Sequence, residues 1–146
     1  MTSALSVVLI HPNDSERTQL RIAFEALSGI QIAGERPDLR SGLALAHSVH
    51  PEILVLELAA PVEDALNAAS QYRMEHPDAA IFFSTEVFDS DTLLRAMRSG
   101  AQELLRRPLD RSALSAAVER VAALKARKQG GVTTRSVIAV FSNKGG

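Results

Sequence analysis

The chain has 146 residues, 46% of them apolar, which suffices for one sizeable core plus an appendage. Its formal net charge of -1 argues against wholesale nucleic-acid binding, and the absence of cysteine excludes a disulfide, a thiolate nucleophile or a Cys-based metal site. No apolar run approaches the roughly 18 residues of a membrane span and the N-terminus lacks a signal-peptide pattern, so a soluble cytoplasmic protein is expected.

Val7-Val8-Leu9-Ile10 is a short, unbroken apolar run of the kind a strand buried on both faces requires. It stops at His11-Pro12. Asn13 or Asp14 then caps a helix, with Glu16 placed as in a capping box, and Leu20, Ala23, Phe24 and Leu27 form its apolar stripe up to Ser28-Gly29. Ile30 to Gly34 alternates as an edge strand does. Asp38 caps a second helix with Leu39, Leu43 and Ala46 on its inner face.

Pro51 to Pro61 is the central stretch: Ile53-Leu54-Val55-Leu56 reads as the middle strand and delivers one carboxylate, Glu57, at its C-terminal end. Ala65, Leu66, Ala69 and Tyr72 mark a third helix, closed before His76-Pro77. Ala80-Ile81-Phe82-Phe83 is the fourth strand, with Thr85 at its end. Asp89 or Ser90 opens a fourth helix carrying Leu93, Ala96 and Met97 inward and stopping at Gly100.

Ala101 to Arg106 is the fifth strand, ended by Pro108, and Asp110 caps a helix whose face is Leu114, Ala117, Val118, Val121 and Leu124. Five β/α alternations predict an α/β fold with a doubly wound, five-stranded parallel sheet between helices. From Lys125 the chain turns polar and glycine-broken, so 125–136 reads as a linker after a domain at 1–124, and 137–146 as a fresh strand followed by Ser142-Asn143-Lys144-Gly145-Gly146.

The alternation, Pro51 to Leu58 with Pro61 and Asp64 beyond, Thr85 fifteen residues before Gly100, and Gly100-Ala101 leading to Arg107-Pro108 together resemble the receiver domain of response regulators, over roughly residues 5–125. The resemblance implies a (βα)5, flavodoxin-like topology. It also implies an aspartate phosphoacceptor, an acidic pair for magnesium, a hydroxyl and a lysine. Here the acceptor position is Glu57, the acidic pair falls on His11 and Pro12, the lysine is Arg107, and the switch aromatic is Leu104. Only Thr85 is intact.

The chain therefore resembles a degenerate receiver that cannot run a phosphorylation cycle. Two readings of Glu57 stand: a permanent charge in place of phosphoaspartate, paired with Arg107 or Thr85, or a partly solvated structural carboxylate, the plainer of the two given the cost of burying an unpaired charge. His11 with Glu57 and Asp14 has donor types that suit zinc, but no motif spacing supports a metal site, and none is expected. His47, His50 and His76 read as solvent-exposed residues on helix ends.

Arg106, Arg107, Arg111, Arg120, Lys125, Arg127 and Lys128 outnumber Asp110 and Glu119 over the last strand and helix, as in a solvated helix face or a surface for an anionic partner. Arg95 and Arg98 lie on the neighbouring helix. In receivers this surface is the usual dimerisation face, so the resemblance implies a homodimer interface including Arg95, Arg98, Leu104, Arg106 and Arg111.

A strand followed by Lys144-Gly145-Gly146 is similar to the start of the deviant phosphate-binding loop of ParA/MinD ATPases, in which glycine N–H groups wrap phosphates and the lysine reaches a partner's nucleotide. A degenerate receiver joined to such a start resembles the CpaE/TadZ family. That resemblance implies a non-catalytic interaction and localisation module of a Tad-type (type IV) pilus-assembly or secretion machine, cytoplasmic and recruited to a cell pole. It implies protein partners, no cofactor for this chain, and ATP with magnesium only in a complete ATPase domain. The alternative is a pseudo-receiver of a transcription or antitermination regulator.

Overall fold

In the computed structural model the described residues are 4–59, 61–86 and 89–134, with side chains described through 128. The strands are β1 (Leu5–Ile10), β2 (Ile30–Arg36), β3 (Ile53–Glu57), β4 (Ala80–Thr85) and β5 (Glu103–Arg106). The helices between and after them are α1 (Asp14–Glu25), α2 (Leu39–Val49), α3 (Val62–Glu75), α4 (Ser90–Arg98) and α5 (Arg111–Thr134). All the strands pair in parallel, in the order β2-β1-β3-β4-β5, the doubly wound flavodoxin-like arrangement expected from the sequence.

The sheet owes its core to its apolar runs. Val7, Val8, Leu9, Ile53, Leu54, Val55, Leu56, Ile81, Phe82 and Phe83 are wholly buried, which only a sheet covered on both faces allows. The edge strand β2 alternates exposed and half-buried positions over its first residues, as predicted. Helix starts follow their caps: the side chains of Asn13, Asp38 and Asp89 accept hydrogen bonds from the N–H groups of Glu16, Ser41 and Thr92. At Gly42 a Cβ would lie 2.3 Å from Ile10 Cδ1, so a glycine lets α2 close onto β1.

Three expectations need correction. Met97 is 45% exposed, because α4 turns Ala96 inward and a neighbour one residue on lies about 100° around the helix. Leu124 is 39% exposed, past the last buried turn of α5, although Leu114, Ala117, Val118 and Val121 are buried. The segment 125–136 read as a linker is helical through Thr134, since Lys125 to Gln129 are strong helix formers that carry the helix across Gly130-Gly131. The predicted strand 137–146, with Lys144, Gly145 and Gly146, lies outside the described residues.

The chain divides into two compact units between Leu114 and Ser115, within α5. The whole sheet, with α1 to α4, belongs to the first. Among the described residues no helix is long and apolar enough to cross a membrane.

Candidate functional site

Ligand sites in open parallel sheets form beyond the C-terminal strand ends, and three such ends meet here: His11 follows β1, Glu57 closes β3 and Arg107 follows β5. The structure brings all three together. Arg107 Nη1 donates to Glu57 Oε1 at 2.7 Å and Nη2 to Oε2 at 2.6 Å, a bidentate fork that takes up both carboxylate oxygens. Arg107 Nη1 also donates to Ser84 Oγ at 2.7 Å, and its Nε faces Glu86 at 3.4 Å and Glu16 at 3.5 Å.

His11 is the third partner. Its Nδ1 accepts the backbone N–H of Asn13 at 3.0 Å, which leaves the proton on Nε2, and Nε2 stands 3.0 Å from carboxylate oxygens of both Glu57 and Glu16. The predicted capping box is thereby half built. Asn13 caps α1, but its own N–H goes to His11, and the Glu16 side chain turns to His11 and Arg107 instead of back to the cap.

The side chains of Glu57, His11 and Arg107 are only 8%, 3% and 15% exposed. Glu57 is thus a half-buried, ion-paired carboxylate, in which pairing with a fork of donors offsets the cost of taking it partly out of water. Burial pushes its pKa up, but hydrogen bonds from His11 and Arg107, with the guanidinium charge beside it, outweigh this and bring it down from 4.5 to about 2. For Arg107 the hydrogen bond with Glu57 dominates and holds its pKa above the ordinary arginine value. Charge is fixed on both partners over the whole physiological range.

The remaining residues fall elsewhere. Thr85 is fully buried and its hydroxyl donates to the Leu58 carbonyl at 3.3 Å. Pro12 is exposed and has no carboxylate to offer. Asp14 points away from His11 and pairs with Arg17 at 2.7 Å, so the histidine's acidic neighbour is Glu16 and not Asp14. His11, Glu16 and Glu57 have donor atoms close enough to surround a cation, yet the guanidinium locked on Glu57 puts a positive charge where that cation would sit.

A mostly apolar depression of about 250 Å³ lies on the other side of Glu57, lined by Ile10, Pro12, Asp38, Leu39, Pro61 and Asp64 among others. On the expected interface, Arg95 pairs with Glu63 of α3 at 3.2 Å, Arg98, Arg106 and Arg111 are exposed, and Leu104 packs against the core cluster. Leu104 therefore serves as core as much as surface, the fate of an apolar residue on a strand.

No family model matches the sequence. The chain is 25% identical over 129 residues to the regulatory protein AtoC of Escherichia coli, covering 88% of this chain and 28% of that protein. It is 26% identical over 114 residues to the probable C4-dicarboxylate response regulator DctR of Halalkalibacterium halodurans, covering 78% and 50%. It thus spans half or less of these curated relatives. Among solved structures, the receiver domain of NarL from Mycobacterium tuberculosis superposes with a TM-score of 0.75 at 19% identity, over 83% of this chain and 98% of that one. A putative pilus assembly-related protein from Burkholderia pseudomallei gives 0.75 at 23%, over 84% and 92%. A putative pilus assembly protein (cpaE) from Burkholderia thailandensis gives 0.74 at 21%, over 82% and 98%. The chain has the receiver fold of response regulators.

Proposed function

We propose that this receiver-fold chain is an interaction module that does not undergo the phosphorylation cycle, and that it serves a Tad-type pilus-assembly or secretion ATPase of the CpaE/TadZ kind. The observation that carries the first half is the bidentate Glu57–Arg107 pair, flanked by His11. A receiver switches by gaining negative charge on an aspartate, with magnesium neutralising the phosphate during transfer. In this site the acceptor carboxylate is already occupied by a guanidinium, the magnesium position holds His11 and Pro12, and the negative end is permanent. The module presents one fixed state to its partners.

The pilus assignment is supported by the two structural neighbours that are putative pilus-assembly proteins and by Lys144-Gly145-Gly146. Under it the chain forms a homodimer through the face bearing Arg95, Arg98 and Arg111, has no catalytic activity itself, precedes an ATP- and magnesium-dependent domain, and gathers at a cell pole. A pseudo-receiver of a transcription regulator is the second reading, favoured by the curated relatives, several of which are named as transcriptional regulators. Incubation with acetyl phosphate and magnesium followed by intact-mass measurement tests the first half. An unchanged mass is expected, and a gain of one phosphoryl group would sink it. The sequence following Gly146 in the natural gene product separates the two assignments: a second Gly-Lys-Ser/Thr continuation supports the ATPase, a DNA-binding helix pair the regulator.

A further inference from the structure

At the opposite end of the strands, where α2 and α3 finish before β3 and β4 begin, three histidines and a glutamate converge from separate stretches of chain. His47 lies in the last turn of α2 and His50 caps it, while Glu75 ends α3 and His76 caps it. His47 Nδ1 is 2.8 Å from His76 Nε2, and His47 Nε2 is 3.5 Å from Glu75 Oε1. The His50 ring centre stands 5.3 Å from that of His76, brought there by a left-handed backbone at His50 (φ 51°). We propose that His47, His76 and Glu75 form a binding site for a divalent transition-metal ion of the zinc type, with His50 or water completing the coordination.

Four observations carry this. First, the donor set fits: two imidazoles and one carboxylate are ligands of choice for zinc, whereas magnesium and calcium want oxygen alone. Second, the distances fit. With metal–nitrogen bonds of about 2.0–2.1 Å, tetrahedral ligand atoms stand about 3.3 Å apart. One donor atom from each of the three residues lies within 4.8 Å of the others, and the two closest imidazole nitrogens need only open from 2.8 Å. A shared proton gives way to a shared metal.

Third, the rings are held. His76 stacks on Tyr72 with ring centres 4.3 Å apart and a 24° tilt, and His47 lies 5.3 Å from the same ring. Tyr72 is itself buried, and its hydroxyl donates to the Ala46 carbonyl at 3.5 Å, so two ligands rest on a platform anchored in the core. Fourth, the field is right for a cation: α2 and α3 both point their carbonyl ends here, each the equivalent of about half a negative charge, and Glu75 adds a full one. His47 and Glu75 are 44% and 48% exposed, so an ion has free access from solvent.

The test is a calorimetric titration of the chain, freed of any polyhistidine tag, with zinc chloride, against magnesium chloride as control. One zinc ion per chain is expected, with no heat from magnesium, and a thermal midpoint that rises with zinc concentration. His47→Gln, at an exposed position that does not threaten folding, weakens binding at least tenfold; His76→Gln does the same, and Glu75→Gln weakens it severalfold. His11→Asn leaves it unchanged. No zinc binding, equal binding in His47→Gln, or loss of binding in His11→Asn in place of His47→Gln would overturn the proposal.

Discussion

Replacing Arg107 with methionine keeps most of its aliphatic volume and removes the charge that Glu57 and His11 surround. The drop in the Glu57 pKa from 4.5 to about 2 means that Arg107 and His11 together stabilise its charged form in the folded state, by at most about 3 kcal/mol and by less where water screens the pair. Breaking a buried pair from one side costs about 3–5 kcal/mol, because the partner is left uncompensated. The expected loss for Arg107→Met at neutral pH is therefore up to about 3 kcal/mol, read from urea unfolding followed by circular dichroism, with the slope of the transition unchanged. Glu57→Gln in the same background removes the stranded charge, so the double variant recovers much of the loss and the cycle gives a coupling of about 2 kcal/mol.

The pH dependence carries a sign. The folded-state pKa of Glu57 is depressed, so its contribution is fully present above 4.5 and is lost as pH falls from there through about 2. The gap in stability between the natural chain and Arg107→Met should narrow over that window. A loss below about 1 kcal/mol, a coupling near zero, or a gap that widens on acidification would refute the view of Glu57 as a half-buried, permanently charged partner of Arg107.

Three further outcomes follow. Gly42→Ala forces a Cβ into Ile10 and should cost about 1–3 kcal/mol in urea unfolding, and the same substitution should cost less in an Ile10→Ala background, where the clashing atoms are gone. Asn13→Ala removes the α1 cap and should cost about 1 kcal/mol by the same measure, whereas an equal loss from Asp14→Ala would misplace the cap. If the proposed homodimer forms through the face bearing Arg98 and Arg111, charge reversal at these two residues should shift it toward monomer in sedimentation velocity; a natural chain that is monomeric at high concentration would count against the interface.

Much of this fold is written plainly in the sequence. Unbroken runs such as Ile53 to Leu56 can be satisfied only by a sheet covered on both faces, and Asn13, Asp38 and Asp89 announce helix starts through a local hydrogen bond that needs no tertiary context. Glu57 at a strand end and Arg107 before a proline are also legible, because strand order in a doubly wound sheet fixes where those ends meet. What sequence patterning misses is convergence. Glu16 looks like the second half of a capping box until His11 takes the cap's N–H, and that choice depends on where β1 ends relative to α1.

The histidines are a sharper case. His47 and His76 are 29 positions apart on two helices, and each alone reads as an exposed residue at a helix end. Only the packing of α2 beside α3, with Tyr72 between their ends, makes them neighbours. The continuation of α5 through Gly130-Gly131 was hidden for the opposite reason: a local glycine signal was outweighed by good helix formers before it.

The most direct measurement on the central claim is nitrogen-15 NMR of the Arg107 guanidinium, assigned with an Arg107→Lys variant. A side chain locked bidentate on Glu57 and bonded to Ser84 should show resolved, slowly exchanging Nη–H signals, and these should stay in place when magnesium with acetyl phosphate or beryllofluoride is added. Averaged Nη–H signals in the free chain, or signals that move on adding those reagents, would mean that the fork opens and that the site still answers to phosphate.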